Sequence, residues 1–296
     1  LVRQFVKQGR LPASDSVRTE ELINYFSYDY PKTKGEHPFA VNTELTTAPW
    51  QPDHYLLRIG VQAQDSHAEQ MPAANLVFLV DVSGSMDEPN KLPLVISSLQ
   101  MLTQQLRAQD KVSLVVYAGR TEVVLEPTSN KADIVAALAR LQAGGSTAGA
   151  SALELAYKMA RKGYIKGGVN RILLATDGDF NVGVTSTDQI KDMVKRERET
   201  GVTLSTLGFG QGNFNDAMME QIADVGNGNY SYIDSVSEAR KVLVDELSST
   251  FNTVAKDVKV QIEFNPQQVS EYRLIGYENR QLNREDFNND KVDAGD

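Results

Sequence analysis

The sequence feature that most constrains the fold is an unbroken apolar run at residues 76–80 that ends abruptly in the polar loop Asp81-Val82-Ser83-Gly84-Ser85. Strands that are buried on both faces of a parallel sheet are apolar along their whole length, as this run is. The loop contains one carboxylate and two hydroxyl groups within five residues. Hard divalent cations such as Mg2+ bind oxygen ligands of this kind. The pattern therefore predicts a buried strand with a cation site at its carboxyl end.

Regular alternation of strand and helix patterns between Asn75 and about Phe251 predicts the fold class of this region. The segments between the strands carry apolar residues three and four positions apart, as amphipathic helices do. Such alternation is typical of an α/β, doubly wound, mostly parallel sheet with helices on both faces. The strand candidates are residues 76–80, 112–117, 122–125, 171–176, 202–209 and 229–233. The second and third are too close for a crossover helix between them, so we expect them to form an antiparallel pair at one edge.

The regions on either side of this α/β domain, which we place at residues 75–250, have a different character. Residues 1–74 are predicted to form short helices and then a β-hairpin with strands at 39–45 and 55–63. Residues 251–296 are expected to begin a β-rich C-terminal region.

The C-terminal prediction depends on two short stretches. Residues 258–264 alternate apolar and polar side chains, as a half-buried strand does, and residues 272–276 read as a second strand. Because the chain starts at Leu1 rather than Met and ends in a polar run, we expect it to be a piece of a longer protein.

Composition and charge exclude several classes of function. The net charge is −9 and no block of Lys or Arg occurs, which argues against nucleic acid or an anionic membrane as the main partner. There is no cysteine, and the three histidines share no motif, so zinc fingers, iron–sulfur clusters and thiol nucleophiles are excluded. No apolar stretch has the length of a transmembrane span.

Two further oxygen donors occur at positions comparable to the first loop. Asp177 follows the strand candidate 171–176, and Thr147 lies in the glycine-rich stretch 144–149, just before a predicted helix at 151–162. Ligands of doubly wound sheets bind beyond the carboxyl ends of the strands, where the strand order reverses. If the two strands are neighbours, one cleft receives all the predicted metal ligands, which are Asp81, Ser83, Ser85, Thr147 and Asp177.

Each of these residues also has an interpretation that involves no metal. Ser and Asp after a strand often cap the next helix, and a Gly-Gly-Ser-Thr stretch can be only a flexible turn. The occurrence of all three segments in this order, each at a strand-to-helix edge, favours the metal site. Nearby Asp87, Glu88 and Asp179 could bind a second cation, although a solvated rim is the favoured interpretation.

The metal-ion-dependent adhesion site of von Willebrand factor type A (vWA) domains is the known pattern that these residues resemble: Asp81-x-Ser83-x-Ser85, Thr147 and Thr176-Asp177-Gly178. The resemblance covers about residues 75–250. It implies a six-stranded sheet with one antiparallel edge strand and a divalent cation, Mg2+ or else Mn2+ or Ca2+, at its top. By this resemblance the hydroxyls bind the cation, and the two aspartates act directly or through water. A protein partner is expected to complete the coordination with an acidic residue.

Three stretches, one inside the α/β domain and two in its flanks, narrow the resemblance to bacterial YfbK-type vWA proteins. The stretches that carry it are residues 18–26, 175–183 and 275–280. This family resemblance implies an N-terminal segment and a C-terminal domain around the vWA domain. It also implies export to the periplasm or cell envelope.

Four interpretations of the function compete on the sequence alone. The favoured one is a metal-dependent protein-binding module, used for adhesion or as a scaffold, that is not an enzyme. A regulatory vWA subunit that works with an ATPase is the alternative. A metal-dependent hydrolase is the third, but no histidine, lysine or isolated carboxylate is placed as an obvious general base. A purely structural domain with an empty site is the remaining possibility.

Overall fold

The computed structural model describes residues 1–31, 37–64, 71–145, 149–178, 186–210, 216–245, 258–277, 281–283 and 287–288. These residues divide into two compact units. The larger unit contains residues 1–17 and 72–245, and the smaller contains 18–64, 71 and the described residues from 258 onwards. The sequence-based boundary near residue 74 lies close to this division, but the first 17 residues group with the α/β unit.

The larger unit is built on a six-stranded sheet with the strand order β5-β4-β3-β6-β7-β8. All neighbouring pairs are parallel except β4 and β5, which form the antiparallel edge pair that the short connection predicted. The predicted α/β, doubly wound, mostly parallel fold is therefore confirmed. The strands of the chain are β1 (Phe39–Ala48), β2 (Gln51–Ala63), β3 (Ala74–Asp81), β4 (Lys111–Tyr117), β5 (Thr121–Thr128), β6 (Val169–Thr176), β7 (Val202–Phe209) and β8 (Tyr230–Ile233).

Helices cover both faces of this sheet. Alternate residues of the central strands face opposite sides. Val77 and Leu79 therefore pack in one layer with helices α5 (Gly149–Lys162), α6 (Thr187–Arg198) and α7 (Asp216–Val225), while Phe78 lies on the other side. All three side chains are buried, which explains why residues 76–80 of β3 are all apolar. The helices are α1 (Val2–Lys7), α2 (Thr19–Asn24), α3 (Leu92–Gln105), α4 (Lys131–Ala139), α5 (Gly149–Lys162), α6 (Thr187–Arg198), α7 (Asp216–Val225) and α8 (Val236–Arg240).

The end of the α/β unit differs from a simple helix. After α8 the backbone continues as one π-helical stretch, Lys241–Asp245, in which Val242 and Leu243 are buried. Helix α1 is tied to this region because the Arg3 guanidinium pairs with Asp234 and, at 3.1 Å, with Glu238. Among the described residues, no helix is both long and apolar enough to cross a lipid bilayer.

The smaller unit contains the predicted hairpin, and β1 and β2 pair antiparallel from Phe39↔Ala63 to a register shift after Thr47. Both strands extend further toward the turn than predicted. The predicted strands at 258–264 and 272–276 are wrong, because no strand is formed in the described residues after 258. Val258, Val260 and Ile262 have the alternation of a half-buried strand, yet all are at least 40% exposed and pair with no neighbouring strand. Alternation without a pairing partner does not make a sheet.

Candidate metal centre

The candidate metal centre lies where the strand order of the sheet reverses. Strand β3 has β4 on one side and β6 on the other, and both neighbours run parallel to it. Because Val80 pairs with Ala175, the next residues, Asp81 and Thr176, lie side by side at the carboxyl edge. Asp177 follows directly. The fold thus brings together the two segments that the sequence placed at this edge, at the position where open α/β sheets bind their ligands.

The loop after β3 presents its two serine hydroxyls together. Ser83 is the residue before a short 3-10 helix, Gly84–Met86, and its backbone N–H donates to Asp81 Oδ1 at 2.8 Å. This bond folds the loop back over the strand end, so that the Ser83 and Ser85 hydroxyl oxygens are 3.0 Å apart. Ser83 is buried, whereas Ser85 is exposed. Ser85 therefore lies on the solvent-facing side of the centre, and Ser83 lies beneath the surface.

The glycine-rich stretch that precedes α5 is tied to the same loop. Gly144 N–H donates to Val82 O at 2.7 Å, and Gly84 N–H donates to Gly145 O at 3.0 Å. Gly145 has a φ of +86°, and a Cβ there would lie 3.0 Å from the backbone nitrogen of Gly119. This backbone needs glycine for its close approach to the β4–β5 turn. The predicted ligand Thr147 lies outside the described residues.

Asp81 is a fully buried carboxylate that accepts hydrogen bonds from its own loop and from the neighbouring strand. Thr176 Oγ1 donates to its Oδ2 at 3.3 Å, and Thr176 in turn accepts a bond from Gly178 N–H at 3.1 Å. Burial raises the pKa of Asp81 to about 6, and the charge of Asp177 adds to the rise, although the bonds from Ser83 oppose it. A buried carboxylate beside a second one is stabilised by a cation. The donor set of two carboxylates and two hydroxyls fits a hard divalent ion.

Sequence reasoning missed Lys91, which contacts this centre. Its side chain is 7% exposed, and its ammonium group lies 3.2 Å from Asp177 Oδ2 and donates to Ser85 O at 2.8 Å. The residue directly precedes the apolar helix α3. A lysine at such a position is usually solvated, so the sequence alone contains no sign that it turns inward.

The structure places four of the five predicted ligands at one sheet edge: Asp81, Ser83, Ser85 and Asp177. Of the acidic residues nearby, Asp87 and Glu88 are exposed, and Glu88 pairs with Lys91 at 3.4 Å. Asp179 lies outside the described residues. Within the described part of the chain, no group of three His, Cys, Asp or Glu side chains could hold a metal ion, and the donors of the candidate centre are two carboxylates and two hydroxyls instead.

We expect cation binding to weaken as the pH falls below about 6, because the proton on Asp81 competes with the metal. Because the pKa of Asp81 lies above its ordinary value, the folded, metal-free protein takes up this proton at a higher pH than the unfolded chain does. The contribution of this group to metal-free stability is therefore present at low pH and lost as the pH rises through about 6. Mg2+ affinity should fall about tenfold per pH unit below that value and level off above it. Calorimetric titration at several pH values measures this, and an affinity that is constant from pH 4.5 to 7.5 would contradict it.

Fold and site together define a vWA domain, and comparison with known proteins agrees. The family model described as "von Willebrand factor type A domain" matches residues 75–246, which is more than half of the chain. The chain belongs to the von Willebrand factor type A domain family. A model described as "von Willebrand factor" matches residues 1–58, and one described as "Uncharacterized protein YfbK, C-terminal" matches residues 249–296.

Two curated relatives indicate which type of vWA protein this chain resembles. The chain is 56% identical to "Uncharacterized protein YfbK" of Escherichia coli (strain K12), over 100% of this chain and 53% of that protein. It is 33% identical to "Uncharacterized protein sll0103" of Synechocystis sp. (strain ATCC 27184 / PCC 6803 / Kazusa), over 71% of this chain and 50% of that protein. The resemblance to YfbK-type vWA proteins is thereby confirmed. The chain spans about half the length of these relatives.

Solved structures share the fold at low sequence identity. A von Willebrand factor type A protein from Catenulispora acidiphila superposes with a TM-score of 0.53 at 18% identity, over 75% of this chain and 52% of that chain. The conserved hypothetical protein BatB from Bacteroides thetaiotaomicron gives a TM-score of 0.52 at 22% identity, over 60% of this chain and 98% of that chain. At these identities the likeness concerns the fold.

Proposed function

We propose that this chain contains a metal-dependent protein-binding module that captures an acidic side chain of a partner protein. The observation that supports it is the clustering of Asp81, Ser83, Ser85 and Asp177 at the reversal point of the sheet. When bound, a divalent cation would supply an electrophilic position for the partner's carboxylate. Mg2+ is the proposed ion, with Mn2+ and Ca2+ as alternatives of the same oxygen-binding class.

The charged and the neutral ligands of such a site have different roles. Asp81 and Asp177 are buried and supply negative charge, while the hydroxyls of the buried Ser83 and the exposed Ser85 are neutral. Neutral ligands leave a cation short of negative charge and so attractive to an incoming carboxylate. We include Thr147 as a further hydroxyl ligand on the basis of the family resemblance.

A non-enzymatic role is part of this proposal. A metal-assisted hydrolase needs a group that accepts a proton from water or substrate. The sequence has no histidine between Pro72 and Phe251. Lys91 is held in an ion pair with Asp177 rather than presented to a substrate. A location at the cell envelope, which the YfbK-type resemblance implies, is kept as a proposal, as is a partner of the ATPase class.

Carboxylate capture can be tested without knowledge of the partner. Binding to the protein slows the tumbling of Mn2+. This enhances the relaxation of the water protons that exchange at the ion. Acetate should lower this enhancement in a saturable way, because its carboxylate displaces a metal-bound water. The effect should vanish with chelator and in the variant Asp81→Asn. Enhancement that acetate leaves unchanged would mean a cation site closed to ligands, and the proposed function would be wrong.

A further inference from the structure

The described part of the metal centre already contains a positive charge, the ammonium group of Lys91. Its nearest acceptors are Ser85 O at 2.8 Å and Asp177 Oδ2 at 3.2 Å. Glu88 Oε1 is 3.4 Å away, but the Glu88 side chain is 61% exposed, so water screens this pair. The side chains of Lys91 and Asp177 are 7% and 6% exposed. Lys91 therefore forms a buried ion pair with Asp177, which is a predicted metal ligand.

The surrounding backbone is shaped to admit this lysine. Gly210, at the end of β7, has a φ of +79°, and a Cβ there would lie 2.5 Å from Lys91 Cε. The lysine stem thus occupies space that any other residue at position 210 would fill. Lys91 also directly precedes helix α3, where the helix dipole disfavours positive charge. Neither burial nor the helix favours an ammonium group here, so its contact with Asp177 and Ser85 must account for its position.

We propose that Lys91 is an internal cation that competes with the divalent ion for Asp177, so that it weakens cation binding and stabilises the cation-free protein. This inference rests on the proposed function, because it concerns the same site. In the absence of metal, the ammonium group compensates the negative charge of this buried carboxylate. When the divalent cation is bound, it and the Lys91 ammonium group repel each other. At a protein-like effective dielectric constant this repulsion weakens cation binding by about tenfold or more.

The same charge favours the next step, the capture of a carboxylate. Two aspartates, a divalent cation and the Lys91 ammonium sum to a formal charge of +1 (−2 + 2 + 1). An incoming carboxylate neutralises this charge. Without the ammonium group the loaded centre would be neutral, and the carboxylate would leave it negative. Lys91 is therefore expected to oppose cation binding and to support partner binding, whereas a purely structural residue would affect both steps in one direction.

The test compares Lys91→Met with wild-type protein in two titrations. Mg2+ added to chelator-stripped protein and followed by calorimetry should bind about tenfold more tightly to the variant. Acetate added to Mn2+-loaded protein and followed by water relaxation should bind at least about threefold more weakly. In chelator the variant should unfold at a lower temperature, and Mg2+ should raise that temperature more than in wild type. Lys91→Arg, which keeps the charge, should stay close to wild type in both titrations.

Lys131→Met is the matched control for the loss of one positive charge. Lys131 begins α4, after β5 has run to the opposite edge of the sheet, and its ammonium group donates to Gln104 O. This variant should bind Mg2+ and acetate as wild type does. If Lys91→Met does not fold, Lys91→Gln removes the charge and keeps a hydrogen-bond donor. Failure of both to fold, with and without Mg2+, would make Lys91 a structural residue and overturn the inference.

The outcomes separate this inference from the proposed function. Wild type that binds Mg2+ and acetate, beside a Lys91→Met variant that binds Mg2+ no more tightly, would overturn the role of Lys91 and leave the function standing. Binding of Mg2+ by the variant alone would support the inference and contradict the function for the natural chain. If neither protein binds Mg2+, both are wrong. Weaker binding of both ligands by the variant would also overturn the inference.

Discussion

Replacing Asp81 by asparagine is expected to abolish divalent-cation binding and, at the same time, to stabilise the cation-free protein. Asparagine keeps an oxygen that can accept the 2.8 Å bond from Ser83 N–H but removes the charge. Loss of a charged oxygen ligand should weaken Mg2+ binding by more than about a hundredfold. The stability gain arises because the buried carboxylate, whose pKa is raised to about 6, is costly to ionise at neutral pH. We expect a gain of roughly 1–3 kcal/mol in the free energy of unfolding at pH 7.

Calorimetry with Mg2+ and urea unfolding in chelator measure the two effects of Asp81→Asn separately. Asp133→Asn is the matched control, because Asp133 is an exposed aspartate in the first turn of α4. It should change neither cation affinity nor stability beyond about 0.5 kcal/mol. An Asp81→Asn variant that binds Mg2+ within a few-fold of wild type would contradict the account. Loss of binding together with a large loss of stability would show that Asp81 mainly supports the fold.

Replacing Asp177 by asparagine should have the opposite effect on stability, although it too removes a predicted ligand. Asp177 pairs with the buried Lys91 ammonium, and the change leaves that charge without its main partner. Breaking a buried ion pair in this way costs about 3 kcal/mol. For a unit of this size the midpoint of thermal unfolding in chelator should fall by roughly 6–12 °C. Asparagine is therefore expected to stabilise the cation-free protein at position 81 and to destabilise it at position 177.

A double-mutant cycle identifies the cause of this loss. Lys91→Met and Asp177→Asn should each destabilise the cation-free protein, and the combined variant should recover most of the loss, with a coupling of at least about 2 kcal/mol. Thermal and urea unfolding of the four proteins in chelator provide the values. Additive losses would mean that the two residues act on the fold independently, and the ion pair would then contribute little.

The sheet and most of the site could be predicted because each depends on a local pattern. The buried strands β3 and β6 contain continuous apolar runs, at residues 76–80 and 172–175, and β7 was predicted with its observed bounds. Asp81 and Asp177 follow two of these strands, so parallel pairing alone brings them to one edge. The antiparallel pair β4–β5 followed from the length of its connection.

What the sequence could not predict depends on contacts between distant residues. The strand at 258–264 was predicted from alternation alone, but a strand also needs a neighbour to accept its backbone hydrogen bonds. Lys91 was overlooked because its inward course depends on Gly210, over a hundred residues away, which leaves room for its stem. The raised pKa of Asp81 likewise arises from its burial in the assembled sheet and from Asp177 beside it.

The most direct test of the central claim is the anomalous diffraction of Mn2+ in crystals of this protein. We expect one strong peak at the carboxyl edge of β3 and β6, within about 2–2.6 Å of oxygens from Ser83 and Ser85 and next to Asp81. The peak should be absent from crystals of the Asp81→Asn variant. Crystals at saturating Mn2+ could instead show a clear manganese absorption edge but no anomalous peak, or a peak only elsewhere on the molecule. Either result would contradict the claim that these residues form a cation site.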